Sequence, residues 1–367
     1  MALLGNNNMS QETMRAKLEA LEKDIMKAKV EQLQKELLNR VNNSINPVTM
    51  EDKVDAFEKE LWNISGLEGL KSQLRSWVKQ LMLDERRRAL GLKVGIRTPP
   101  HMAFLGNPGT GKTMVARLLG KLLHMLQIIP TEKVVEVQRT DLVGQYIGHT
   151  GLQTRVKIKE AEGGILFVDE AYRLMPANSS NNDFGLEALE EIMSFMDTGK
   201  VVVIFAGYSE QMERVIFANP GFRRRVTKFF YFDDLTCTDL ANILWLKMSN
   251  LRNDQNSPLY GFKLHESCIV PRIAVIIRQG SSEKLRSDMN GGLVDVMLMN
   301  ARESLDMRID LECRDVDVLT TIMLEDLRAG LRMMEQHEEK NKKIDVECGD
   351  FGALTTIMLE DLGLSFG

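Results

Sequence analysis

Four short apolar runs, Met102–Leu105, Val134–Val137, Ile165–Val168 and Val201–Phe205, are continuous rather than alternating, the pattern of strands buried on both faces. Stretches with helical spacing lie between them, and a further helix is expected over Gly66–Gly91. Strands alternating with helices predict a parallel sheet with crossover helices, an α/β fold. Beyond about Asp233 the strand signals stop. Apolar periodicity over Leu240–Leu251, Val270–Ile277, Leu293–Met307 and Val318–Met334 predicts a smaller, all-helical second domain.

At the N-terminus, Ser10–Val41 contains neither Gly nor Pro and spaces Met14, Leu18, Leu21 and Ile25 as one helical stripe. The stripe shifts to Met26, Val30, Leu33 and Leu37, so the heptad register breaks too early for a sustained coiled coil. Either a helix packed on its own domain or an oligomer-forming coil fits, and the polar segment Asn42–Pro47 separates this arm from the body. In the tail, LTTIMLEDL occurs at Leu319 and again at Leu354, so Asp310–Leu327 is echoed by Asp345–Leu362. Two copies read as a local duplication rather than a solenoid, with the second copy expected outside the folded domain.

Composition narrows the classes. With 44% apolar and 27% charged residues, the 367-residue chain is an ordinary globular protein of roughly two domains. The net charge of −5 provides no general field for nucleic acid or anionic lipid, and neither partner is expected. The four cysteines, Cys237, Cys268, Cys313 and Cys348, lack CxxC or Cys/His spacing and are expected as free thiols. No apolar run approaches the ~20 residues that span a bilayer. Met1–Met9 has neither the h-region of a signal peptide nor the composition of a transit peptide. The expected compartment is the cytoplasm, with the nucleus left open.

The chemistry is concentrated in a few motifs. Gly106-Asn107-Pro108-Gly109-Thr110-Gly111-Lys112-Thr113 follows one apolar run and opens a helical stretch, the context of a phosphate-binding P-loop. Its glycines let backbone N–H groups close on phosphate oxygens; Lys112 neutralises the β and γ phosphates, and Thr113 can place its hydroxyl on Mg²⁺. Asp169-Glu170 closes the run Ile165–Val168, at the strand end where parallel sheets bind ligands. Asp169 is positioned to hold Mg²⁺ and Glu170 to orient and deprotonate an attacking water. Arg223-Arg224-Arg225 is either a solvated turn or a source of cations for a neighbouring subunit's site, where such a finger stabilises transferring phosphate. In Asp141–Gly151 the single aromatic, Tyr146, either packs on its own domain or grips extended peptide at a ring's central pore. Arg86–Arg88 is expected as helix surface, and Trp62 with Trp77 as core.

These residues resemble those of the AAA+ ATPases, and within them the red-type Rubisco activases and the related stage V sporulation protein K group. The resemblance spans about Leu61–Leu331 and rests on GNPGTGKT at Gly106, LVGQYIGHTG at Leu142, GGILFVDEAY at Gly163, IFAGY at Ile204 and NPGFRRRV at Asn219. It implies an α/β ATP-binding domain (61–232) followed by a helical lid (233–334); the N-terminal helical arm (1–47) and the tail (335–367) lie outside the resemblance. It further implies ATP and Mg²⁺ as ligands, a homo-oligomeric ring, taken as a hexamer, and an unidentified protein client. By resemblance Lys112 and Thr113 carry the Walker A roles, Asp169 and Glu170 the Walker B roles, Tyr146 is the pore-loop aromatic, and Arg225 is the finger with Arg223 in reserve. Ile64–Gly66 resembles the segment that frames adenine. Two features depart from the wider pattern. Gly207-Tyr208 ends the fourth strand where a polar sensor is common, and Gly292 and Asp295 stand where lid arginines are expected. Arg302 or Arg308 could substitute for them. The expected function is ATP-driven remodelling of a protein client; the alternative is a nucleotide-gated assembly module that binds ATP and hydrolyses it poorly.

Overall fold

The computed structural model describes residues 50–62, 64–95, 99–144, 146, 148–175, 184–251 and 255–336. The N-terminal arm, its linker and the duplicated tail segment lie outside the described residues. Two compact units divide between Glu58 and Lys59, within helix α1 (Met50–Trp62). The sheet and the site lie in the second.

Helix α2 (Glu68–Ala89) leads into β1 (His101–Gly106) and α3 (Lys112–Met125). Next come β2 (Val134–Val137), the single turn α4 (Arg139–Leu142), α5 (His149–Glu160), β3 (Ile165–Val168) and a 3₁₀ turn over Ala171–Leu174. Helix α6 (Gly185–Met196), β4 (Val202–Gly207), α7 (Ser209–Ala218), α8 (Pro220–Arg225) and β5 (Val226–Phe232) complete the α/β domain. The five strands are parallel in the order β2-β3-β4-β1-β5. Every residue of β3 and β4 is buried, as continuous apolar runs require. One sheet face buries Leu105, Val168, Phe205 and Phe222. On the other, Phe104 meets Phe167, Phe230 and Phe232 with centroids 6.3, 5.6 and 5.1 Å away.

The fifth strand is absent from the sequence expectation. It lies at the sheet edge, and Thr227 and Lys228 interrupt its apolar run, so it lacks the signature of a doubly buried strand. Trp77 is buried against Phe230, 6.2 Å between centroids, but Trp62 is 81% exposed and not core. Arg86, Arg87 and Arg88 are exposed on α2, with Arg87 paired to Asp84.

The lid comprises α9 (Cys237–Leu251), α10 (Val270–Gln279), α11 (Glu283–Met289), α12 (Gly291–Arg308), α13 (Val316–Thr320) and a helical segment over 324–336. It also holds a ladder that the all-helical expectation lacks: β6 (Lys263–Leu264) pairs in parallel with β7 (Thr321–Ile322). Two residues per strand are too few to carry a period, and β7 interrupts the helix expected over Val318–Met334. Among the described residues no helix is long and apolar enough to cross a membrane.

Candidate nucleotide site

Sheet register brings the motifs together. Leu105 of β1 lies beside Gly207 of β4, and Val168 of β3 beside Phe205. The P-loop leaves β1 and Asp169-Glu170 leaves β3 at the same sheet edge, two strand spacings or about 10 Å apart, with Gly207-Tyr208 between them. Gly106 leaves the sheet at φ 157, where a Cβ would lie 2.4 Å from the Phe232 carbonyl oxygen, so only glycine permits this exit. Helix α3 starts on Gly111 at φ 93 without a side-chain cap, which leaves first-turn N–H groups for an anion.

A cleft of about 990 Å³ opens there, within the usual range for cofactor sites. Gly106, Pro108–Thr113, Asp169, Glu170 and Tyr208 line it on the sheet side. The lid contributes Ile243, Lys247, Gly292 and Asp295, and Ile64 and Ser65 also line the cleft. Lys112 Nζ donates to the Gly106 and Asn107 carbonyls at 3.0 and 2.7 Å, folded over its own loop. Burial pulls its ammonium below the ordinary lysine value, and the charges of Asp169 and Glu170 oppose that shift. Asp169 Oδ1 accepts the Glu170 N–H at 2.9 Å. Glu170 itself sits at φ 49, ψ 40, a left-handed conformation costing a side-chain-bearing residue about 1–2 kcal/mol, and such outliers concentrate at functional sites.

Asn107 is the P-loop residue whose side chain turns elsewhere. Its amide donates to Asp234 at 2.9 Å and to Ser287 Oγ at 3.0 Å, tying the loop to the lid rather than facing the cleft. Asn290, which sequence reasoning passed over, completes this joint. Its Oδ1 accepts the Leu235 N–H at 2.8 Å, and its amide donates to Pro108 O, Asp234 Oδ1 and Ser287 O. The Gly291 N–H adds a bond to Gly109 O at 3.0 Å. Burial pushes the Asp234 carboxyl up, but hydrogen bonds from Ser287, Asn290 and Asn107 outweigh it and hold it below the ordinary carboxylate value. The signal available in sequence was the Asn290-Gly291 pair opening an apolar helix, which reads equally well as a turn.

Neither proposed substitute for the lid arginines reaches the cleft. Arg302 donates to the Pro258 carbonyl and lies over the Phe262 ring, and Arg308 pairs with buried Asp326 at 3.0 Å. The lid cation that lines the cleft is Lys247, paired with Asp295. Arg225 and Arg223 are not at their own chain's P-loop. Val226 lies beside His101, at the opposite end of β1, five residues or about 17 Å from Gly106. There Arg225 makes a two-point ion pair with Asp197, Nε to Oδ1 at 2.9 Å, while Arg223 is exposed. Tyr146 is 67% exposed, its ring edge-on to His149 at 5.5 Å, so it does not pack into its own domain.

Among the described residues no group of three or more His, Cys, Asp or Glu could hold a metal ion. The Thr113 hydroxyl and Asp169 carboxylate fit Mg²⁺ bound together with phosphate oxygens and water, its usual manner.

Comparison with known proteins decides the family. The model of the ATPase family associated with various cellular activities (AAA) matches residues 102–234, and a domain of unknown function, DUF8495, matches 234–336. CbxX of Cupriavidus necator is 38% identical over 215 residues, 57% of this chain and 67% of that protein. The chain belongs to the AAA ATPase family. Stage V sporulation protein K of Bacillus subtilis is 41% identical over 51% of this chain and 58% of its own length. The chloroplastic ribulose bisphosphate carboxylase/oxygenase activase of Cyanidioschyzon merolae is 39% identical over 53% and 65%. These relatives match the red-type activase and sporulation protein K resemblance. The chain spans about three-fifths of the length of the first of them. The FIGL-1 AAA domain in complex with ADP aligns at TM-score 0.50 over 74% of this chain and 82% of that one, at 20% identity, a likeness of fold.

Proposed function

We propose that this AAA ATPase binds ATP with Mg²⁺ in the cleft, hydrolyses it in a homo-oligomeric ring, a hexamer by resemblance, and remodels a protein client through Tyr146. The observation that carries the reading is the convergence of Lys112, Thr113, Asp169 and Glu170 on one cleft roofed by the lid. Lys112 balances phosphate charge, and the Gly109–Thr113 backbone with the α3 N-terminus orients the phosphates. Thr113 and Asp169 would hold Mg²⁺, which when bound neutralises charge between the β and γ phosphates. Glu170 orients water and takes its proton. Because Arg225 and Arg223 lie at the far sheet edge, either can act as a finger only on a neighbouring subunit, and we assign that role to Arg225. Leu152 and Val156, one turn apart and exposed on α5, offer that neighbour an apolar stripe.

The second reading, a nucleotide-gated assembly module with little turnover, draws support from Asp295, a carboxylate in the cleft where an arginine is expected. Steady-state ATP turnover per subunit, measured against protein concentration, separates the two. The motor reading expects specific activity to climb with concentration and Glu170→Gln to remove at least about 100-fold of it while nucleotide still binds. Wild-type turnover equal to Glu170→Gln at every concentration, with ATP bound, would leave the assembly module.

A further inference from the structure

The 3₁₀ turn after Glu170 buries Ala171 and Leu174, which leaves Tyr172 half-buried against the core and Arg173 exposed. The left-handed Glu170 backbone starts that turn and brings residue 173 back over residue 170. Both carboxylate oxygens of Glu170 are engaged as a result. Oε2 pairs with Arg173 Nε at 3.1 Å, and Oε1 accepts from the Tyr172 hydroxyl at 3.3 Å. A carboxylate in that state has both oxygens directed at protein donors, so neither is free to accept a hydrogen bond from an attacking water until the contacts open.

The backbone under the pair is fixed. Arg173 N–H donates to Glu170 O at 2.9 Å, and Arg139 of α4 donates to Arg173 O at 2.7 Å. Tyr172 is wedged against Gly207, where a Cβ would lie 2.8 Å from its ring, and its ring meets Tyr208 at 5.7 Å. The Arg173 side chain is the more exposed partner, 57% accessible against 31% for Glu170.

We infer that Arg173 is a positioning residue that latches Glu170, so that the pair must open before Glu170 can orient and deprotonate water. The inference rests on the reading of Glu170 as the hydrolytic base. The latch is local, built by one turn of chain, and Arg139 ties it to α4, whose chain continues toward Tyr146.

The test is steady-state ATP turnover of the full chain at one protein concentration for wild type, Arg173→Ala, Arg173→Lys, Glu170→Gln and the Glu170→Gln/Arg173→Ala double variant. A latch predicts that Arg173→Ala raises kcat about fivefold, the rate equivalent of a partly exposed ion pair, with KM within about twofold. Arg173→Lys, which keeps the cation, should turn over at the wild-type rate, and the double variant should fall to the Glu170→Gln level. Arg173→Ala with kcat at or below wild type, while wild type exceeds Glu170→Gln, overturns the latch and leaves the hydrolysis reading standing. If all five stand at the Glu170→Gln level, both fall together.

Discussion

Asn290 is fully buried and stands at φ 46, ψ −122, a backbone region that side chains avoid. The Leu235 N–H fixes its oxygen as acceptor and so its amide as donor to Pro108, Asp234 and Ser287. Truncating this side chain would strand the buried Leu235 N–H and take a donor from Pro108, Asp234 and Ser287. Asn290→Ala is expected to cost about 2–4 kcal/mol in chemical denaturation and to weaken nucleotide affinity, since the P-loop loses its tie to the lid. Unchanged stability with unchanged affinity would show that the joint is dispensable. At this scale contiguous motifs in the sequence pointed to Lys112, Thr113, Asp169 and Glu170, and these four line one cleft. Asn107 and Asn290 were not legible as a pair, because their link through Asp234 and Ser287 exists only once distant segments meet.

Among the elements, the start of β1 shows how packing creates a titration. His101 accepts the Val203 N–H at Nδ1 (3.1 Å), so its Nε2 donates to the Met196 carbonyl (3.0 Å), and the ring must be neutral to do both. Burial, the dominant cause, holds its pKa below the ordinary histidine value despite the Met196 bond and the Asp197 charge. A histidine depressed in the folded state contributes stability that is complete above about pH 6.5 and is lost as pH falls toward the folded pKa. Urea melts should therefore show stability falling as pH drops below about 6.5, and His101→Gln, which keeps an acceptor and a donor without titrating, should flatten that slope. An identical slope in both proteins would place the titration elsewhere. The four buried strands were legible because continuous apolar runs have few other readings in an α/β pattern. Strand β5 sits at the edge with Lys228 in its run, and β6 and β7 are too short to carry a period, so pairing rather than propensity defines all three.

At the scale of the whole molecule, the parallel sheet separates two sets of charges. Lys112, Asp169 and Glu170 stand at the carboxyl edge, and Arg223 and Arg225 at the amino edge about 17 Å away. A site needing both sets has to be completed by a second copy. Asp197, which holds Arg225, is 60% exposed, while the Arg225 side chain is 19% exposed, so reaching a neighbouring cleft requires this pair to open. Subunit mixing tests this most directly. Glu170→Gln retains the proposed finger and Arg225→Ala the proposed base, and each alone should be inactive. Mixed in equal amounts, they place an intact Glu170 opposite an intact Arg225 in some interfaces, and the account predicts ATP turnover well above either variant alone. Turnover in the mixture no higher than the average of the two separate variants would contradict a nucleotide site shared between subunits.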